Sequence, residues 1–244
     1  MYKQRQYRVG VHNKDLISFK IDHFESDLLI CAEKNIESQA KQALVFYHQQ
    51  VQEYVQKNPL FKHSLLPLPV DKKAPLIIQQ MYKAAKKTKV GPMATVAGAI
   101  AQSVGQDLGK ISPEIIVENG GDIFLSTKYP RKIGIFAGIG CVYNQLVFTL
   151  DPRQTPCGIC ASSGTFGHSL SLGNSNATIV IAETSVLADG FATAIGNLIK
   201  TDADLEKAIK MAKKQRSIRG LIAITSSKLM AYGDIKFDVL DNKT

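Results

Sequence analysis

Cysteine is scarce. Four occur in 244 residues, and three of them crowd at Cys141, Cys157 and Cys160. That is too few and too uneven for a disulfide scaffold, which fits a reducing compartment. No apolar run approaches membrane-spanning length. The charged start, Met1-Tyr2-Lys3-Gln4-Arg5-Gln6-Tyr7-Arg8, lacks the apolar segment of a secretory signal. The expected location is therefore the cytoplasm, with no membrane partner. A flexible linker is missing too: the Pro-rich stretch from Leu66 to Pro75 is short and apolar, and reads as a stiff crossover. One domain over residues 1–244 is expected, and with 45% hydrophobic residues it can bury a full core.

Lysine and arginine outnumber the acids by enough to give a net charge of +9. An anionic small ligand, nucleic acid or plain solubility would each explain it. Lys83, Lys86 and Lys87 cluster on one predicted helix, while Lys207, Lys210 and Lys214 recur along one face of another. Such faces are ordinarily solvated. With no interleaved aromatics and no nucleic-acid motif, no nucleic-acid partner is expected.

Alternation over Val9–Val11, Leu16–Ile21 and Leu28–Cys31 predicts an antiparallel meander turning at Asn13-Lys14 and Glu25-Ser26. From about Ile36 to Gln56, Ala40, Ala43, Leu44, Tyr47, Val51 and Val55 recur at helical spacing, uninterrupted by Gly or Pro. Leu76–Lys87 is a second helix. Gly91-Pro92 opens a third, whose Ala94, Ala97, Gly98, Ala101 and Ser103 give a small-residue surface for close backbone packing, or for N-terminal amides that meet an anion. Short β-branched strands follow at Ile115–Val117, Ile123–Leu125, Ile133–Phe136, Leu146–Leu150 and Ala177–Ile181. Helices near Thr184–Ile199 and Asp202–Lys213, the latter capped by Asp202 or Thr201, precede strands at Leu221–Thr225 and Ile235–Val239. Segregated rather than alternating elements indicate an α+β fold.

Three segments place polar groups where a core element would favour apolar ones. In Glu118-Asn119-Gly120-Gly121-Asp122 a strand runs into a double glycine, where backbone can approach a ligand or simply turn. Cys160-Ala161-Ser162-Ser163-Gly164-Thr165 has the composition of a phosphate-cradling loop, and also of an ordinary turn. In Ala188-Asp189-Gly190-Phe191-Ala192-Thr193, Asp189 and Thr193 stand four apart on an apolar helix. Two oxygens on one face suit a hard cation such as Mg²⁺, or hydrogen bonds within the helix.

Taken together, these segments resemble the ApbE-like superfamily, whose best-known members are Mg²⁺-dependent enzymes that transfer FMN from FAD to a protein threonine. The likeness rests on Val117 through Asp122, Ser162-Ser163-Gly164, Thr178-Ile179-Val180, and Ala188-Asp189 with Ala192-Thr193-Ala194. It implies an ApbE-like T-fold variant, Asp189 and Thr193 as metal ligands, and a flavin (FAD or FMN) or nucleotide pocket lined by Asn119, Gly120, Gly121, Asp122, Ser162, Ser163, Gly164 and Thr165. The chain departs from the transferases in two places. Their His-x-x-Asp-Pro-Arg-Thr-Gly segment is missing after Gly164, and Glu118 stands where they carry Asn. Val90-Gly91-Pro92-Met93-Ala94 and Gly158 through Thr165 with Gly167-His168-Ser169 are similar to a shorter ApbE-like branch, linked in some archaea to sulfur assimilation into homocysteine. That likeness implies a second reading, a sulfur-trafficking protein with a partner in sulfur metabolism.

Cys157-Gly158-Ile159-Cys160 has no second pair at zinc-ligand spacing, and no helix is predicted to begin there as a thioredoxin-like site would need. Cys160 beside the pocket, with His168 eight residues on, could form a persulfide-carrying thiolate. It could equally be a small buried hydrophobe, with His168 a structural residue or ligand contact.

Overall fold

A computed structural model of the chain describes residues 15–138, 141–164 and 172–239. The predicted strand at Val9–Val11 and the turn at Asn13-Lys14 lie outside those residues. Strands β1 (Ile17–His23) and β2 (Ser26–Ala32) form a hairpin around Phe24-Glu25. Helices α1 (Glu37–Lys57), α2 (Pro59–His63), α3 (Leu76–Thr88) and α4 (Val96–Leu108) follow, the last preceded by a 3₁₀ turn at Pro92–Thr95. Strands β3 (Ile115–Asn119) and β4 (Asp122–Ser126) close this half. The second half repeats the order with β7 (Cys157–Ser162), β8 (Ala177–Ala182), α5 (Ser185–Leu198), α6 (Asp204–Lys213), β9 (Ile218–Ile224) and β10 (Leu229–Gly233). Between the halves lie β5 (Arg131–Gly134) and β6 (Leu146–Leu150), which pair with each other, and β6 pairs on its other side with the C-terminal β11 (Lys236–Val239).

The large sheet runs β1-β2-β3-β4-β7-β8-β9-β10 and the small one β11-β6-β5. Every pairing is antiparallel. The α+β class is borne out. The two halves join where β4 pairs with β7, placing Asp122 opposite Cys160.

Strand alternation sorts the core into layers. Ile30, Val117 and Phe124 face α1, α3 and α4, and Val180, Leu221 and Ala223 face α5 and α6. Ile116, Leu125, Ile179 and Ile222 face the small sheet, where Ile133, Phe148 and Leu150 meet them. Both faces of the large sheet are thus covered, which is why β8 is buried at every position and reads as a continuous β-branched run.

The small-residue surface of α4 serves close packing. A Cβ at Gly105 would fall 2.1 Å from the Phe124 ring, so the helix lies almost on the sheet. Two strands escaped the sequence reading, β7 and β10. The N-cap of α6 also differs: Ala203 occupies it, while Asp204 within the first turn accepts the amides of Lys200 at 3.1 Å and Thr201 at 3.0 Å. Its carboxylate does for the preceding loop what a cap at Thr201 or Asp202 would have done for the helix. No described helix is long and apolar enough to cross a membrane.

Candidate functional site

The β3–β4 hairpin turns on Gly120 and Gly121, with φ of 69° and 102°. A two-residue turn that follows the twist of its strands needs such left-handed backbone, which L side chains disfavour. Asn119 and Asp122 face each other across it, and Glu118 Oε1 accepts the Gly121 amide at 2.6 Å. The double glycine is used for the turn, and it sets Asp122 at the seam between the halves.

Asp122 is only 7% exposed, and its Oδ1 has no hydrogen-bond partner. Burial pushes its carboxyl well above the usual range, and the Asp189 charge pushes it further. A buried carboxylate oxygen without a partner is rare enough to need a cause: a proton, a water or a cation.

Asp189 arrives from α5. Its Oδ2 accepts the Gly98 amide at 2.9 Å, in the first turn of α4. The α4 N-cap, Thr95, turns its hydroxyl back to the Pro92 carbonyl at 2.8 Å, so Asp189 satisfies this helix end from another helix. The two helices can approach because residue 98 is glycine: a Cβ there would lie 2.4 Å from the Ser185 carbonyl oxygen and 2.8 Å from Asp189 Cβ. Asp189 is half-buried. Removal from water raises its pKa from 3.8 to about 7, against the pull of the Gly98 amide. Thr193 sits one turn further along α5, also half-buried.

Cys160 lies beside Asp122 under α5, fully buried, and its thiol donates to the Ser185 carbonyl at 3.3 Å. Burial pushes the thiol well above its ordinary range, and the charges of Asp122 and Asp189 add to the effect. It is a protonated thiol in a packed interior, whereas a persulfide carrier needs an accessible thiolate. The geometry therefore favours the buried-hydrophobe reading of Cys160. Cys157 faces the small sheet instead, so the C-x-x-C pair points to opposite sides of one strand.

The expected loop at Ser162-Ser163-Gly164 begins later than expected: β7 extends to Ser162, and beyond it the Gly164 amide donates to the Ser175 carbonyl at 2.9 Å. Ser162 is buried opposite Thr178, near Gly196 of α5. Thr165 and His168 lie outside the described residues.

A hard cation fits the remaining donors. Asp122 Oδ1 is unsatisfied, Asp189 brings a second carboxylate, and Thr193 carries a hydroxyl on the same helix. Such oxygens suit Mg²⁺, which keeps several waters and rarely takes an all-protein cage. Among the described residues, no three His, Cys, Asp or Glu side chains converge on one ion position.

A family model described as "AbpE bacteria" matches residues 9–225. The chain belongs to this ApbE-like family. A UPF0280 protein of Methanothrix thermoacetophila is 34% identical over 220 residues, covering 89% of this chain and 91% of its own. A UPF0280 protein of Methanocaldococcus jannaschii is 34% identical over 213 residues, covering 85% and 86%. The flavinyl transferase ApbE of Pseudomonas stutzeri shares the fold with a TM-score of 0.58 at 12% identity, over 89% of this chain and 94% of that one. The ApbE protein of Thermotoga maritima does so with 0.57 at 11%, over 91% and 96%.

Within the ApbE-like fold, the structure brings Asn119, Asp122, Cys160 and Asp189 to the junction of β4, β7, α4 and α5. Asn119 Nδ2 reaches the Ala97 carbonyl at 3.3 Å, so it too touches the first turn of α4. Sequence reasoning singled out Gly158 only as part of a family likeness, without its packing role, and passed over Ser185. A Cβ at Gly158 would fall 2.2 Å from Ser185 Cα, so this glycine is what lets α5 start directly on β7. The signal for it was a glycine between Cys157 and Ile159, which also reads as a turn. An open depression of about 860 Å³ on the outer face of α1, lined by Asn35, Lys41 and Phe46, contains none of the site residues.

Proposed function

We propose that this ApbE-like protein binds a flavin- or nucleotide-type anionic ligand together with Mg²⁺, at the junction of its two halves. The orphaned, buried Oδ1 of Asp122 carries the reading. Beside it, Asp189 is itself raised to about 7. Two acids crowded out of water gain most from a dication that neutralises both.

In this reading Asp122, Asp189 and the Thr193 hydroxyl hold the ion, and Asn119, Gly120, Gly121, Ser162, Ser163, Gly164 and Thr165 border the ligand. When bound, the cation supplies charge neutralisation at phosphate oxygens, which supports either flavin transfer or cleavage of a phosphoanhydride. The protein's own part is positional. The Gly98 amide fixes one oxygen of Asp189, and the β4–β7 register fixes Asp122. The sulfur-carrier alternative through Cys160 and His168 gains no support from a thiol this deeply buried.

Calorimetric titration with FAD, with and without Mg²⁺, tests the proposal, with FMN or AMP release followed in parallel. Metal-dependent binding that disappears in Asp189→Asn is expected. FAD that binds equally well without the metal, or not at all, would overturn the reading.

A further inference from the structure

The segment Lys57–Leu66 projects three leucines into solvent: Leu60 is 68% exposed, Leu65 61% and Leu66 70%. A single exposed leucine means little, but three in seven residues make an apolar patch that usually has a partner. They belong to one compact unit. Helix α2 hands over to Ser64, whose amide donates to the Leu60 carbonyl at 3.0 Å. The Ser64 hydroxyl then bridges the Leu66 backbone, donating to its carbonyl at 2.7 Å and accepting its amide at 3.2 Å.

This unit is held from within. Phe61 is 1% exposed and packs edge-on against Tyr54 at 5.1 Å and Tyr82 at 4.9 Å. Gly91 takes the Ser64 backbone so closely that a Cβ would fall 1.8 Å from the Ser64 carbonyl oxygen. The anchored aromatic and the tight glycine contact fix the leucines outward, so little ordering remains to be done on contact.

Charge selects the partner. The segment carries Lys57, Lys62 and His63 and no acidic residue, on a chain of net charge +9. Both lysines are exposed. A second copy docking here through a two-fold axis would set like charges together around the leucines. An anionic lipid surface meets both features, since acyl chains accept leucine without a shaped groove and headgroups attract lysine. Crossing a membrane and lying on one are different properties, and only the first is excluded for the described helices.

We propose that the Leu60–Leu65–Leu66 knob, flanked by Lys57 and Lys62, docks this protein reversibly on an anionic lipid bilayer. The full chain is sedimented with vesicles of phosphatidylglycerol and phosphatidylcholine in equal parts, and with vesicles of phosphatidylcholine alone. Partition to the anionic vesicles that weakens with added salt is expected. Lys57→Gln with Lys62→Gln should weaken it by about fivefold per lysine. Leu60→Ser with Leu65→Ser and Leu66→Ser leaves the charge unchanged and should lower it by roughly tenfold per leucine. If the triple variant melts below the wild type, the single Leu66→Ser variant carries the test. No partition to anionic vesicles overturns the proposal, as does equal partition by the leucine variants, which would mean unspecific attraction of a basic protein. A concentration-dependent dimer in sedimentation velocity that the leucine variants abolish also overturns it, because a second copy then covers the patch.

Discussion

An acid placed where Asp122 sits must hold a proton or find a positive partner. Replacement by Asn keeps the shape and removes the charge problem. Asp122→Asn should therefore melt no lower than the wild type without metal, and should lack the Mg²⁺-dependent stabilisation that the proposed site predicts for the wild type. Differential scanning fluorimetry with and without Mg²⁺ reads both effects. Asp189 makes a pH prediction. Its folded pKa of about 7 lies above the ordinary carboxylate value of 3.8, so the folded state holds a proton that the unfolded chain releases earlier. Its contribution to stability is complete below about pH 4 and is lost as pH rises towards 7. Metal-free protein should thus lose stability across that window, and Asp189→Asn should flatten the profile in urea titrations at successive pH values. The buried thiol gives a chemical check. Cys160 should resist iodoacetamide in the native protein, while the half-buried Cys141 reacts first; mass spectrometry of tryptic peptides separates them. Little of this was visible in the chain. The Asp189–Thr193 spacing was legible, because a helix converts spacing into direction. That Asp122 would stand beside Cys160 was not, because register across a seam is set by strands 38 residues apart in sequence.

Helices with uninterrupted apolar spacing declare themselves, as α1 does by running 21 residues without Gly or Pro. Strand β7 did not, since Cys-Gly-Ile-Cys-Ala-Ser is small and glycine-bearing and resembles a turn; its extended form is imposed by β4 and β8 on either side. Strand β10 is a short edge with a terminal glycine, again supported by its neighbour β9 more than by its own residues. The contact between α4 and α5 depends on the absence of one side chain. Gly98→Ala forces a methyl to within 2.4 Å of the Ser185 carbonyl oxygen, and overpacking of this kind costs about 1–3 kcal/mol. The helices must part, and Asp189 then loses its amide partner. Denaturant unfolding should show the destabilisation, and calorimetry a weaker response to Mg²⁺.

The whole molecule is two ββ-helix-ββ halves sharing one sheet, with β5 and β6 inserted on the face away from the helices. The α+β class was readable because strands and helices are segregated in the sequence, but the repeat was not, since α1 to α4 in one half answer to α5 and α6 in the other. The candidate site uses both halves: β4 and α4 bring Asp122 and the Gly98 amide, while β7 and α5 bring Cys160 and Asp189. With the sheet continuous across the junction, thermal unfolding should be one transition, and Mg²⁺ with FAD should raise it without splitting it. Calorimetry showing two separable transitions would contradict this.

The hydrogen bond from Gly98 to Asp189 has a mechanical side. It is a strut between helices rooted in opposite halves, and the acid that forms it is the one poised to exchange its proton near neutrality. Loading or unloading that acid therefore changes how stiffly the two halves are braced, and a chelator added to metal-loaded protein should act like a loosened rivet, felt at the far ends of α4 and α5 as faster amide exchange.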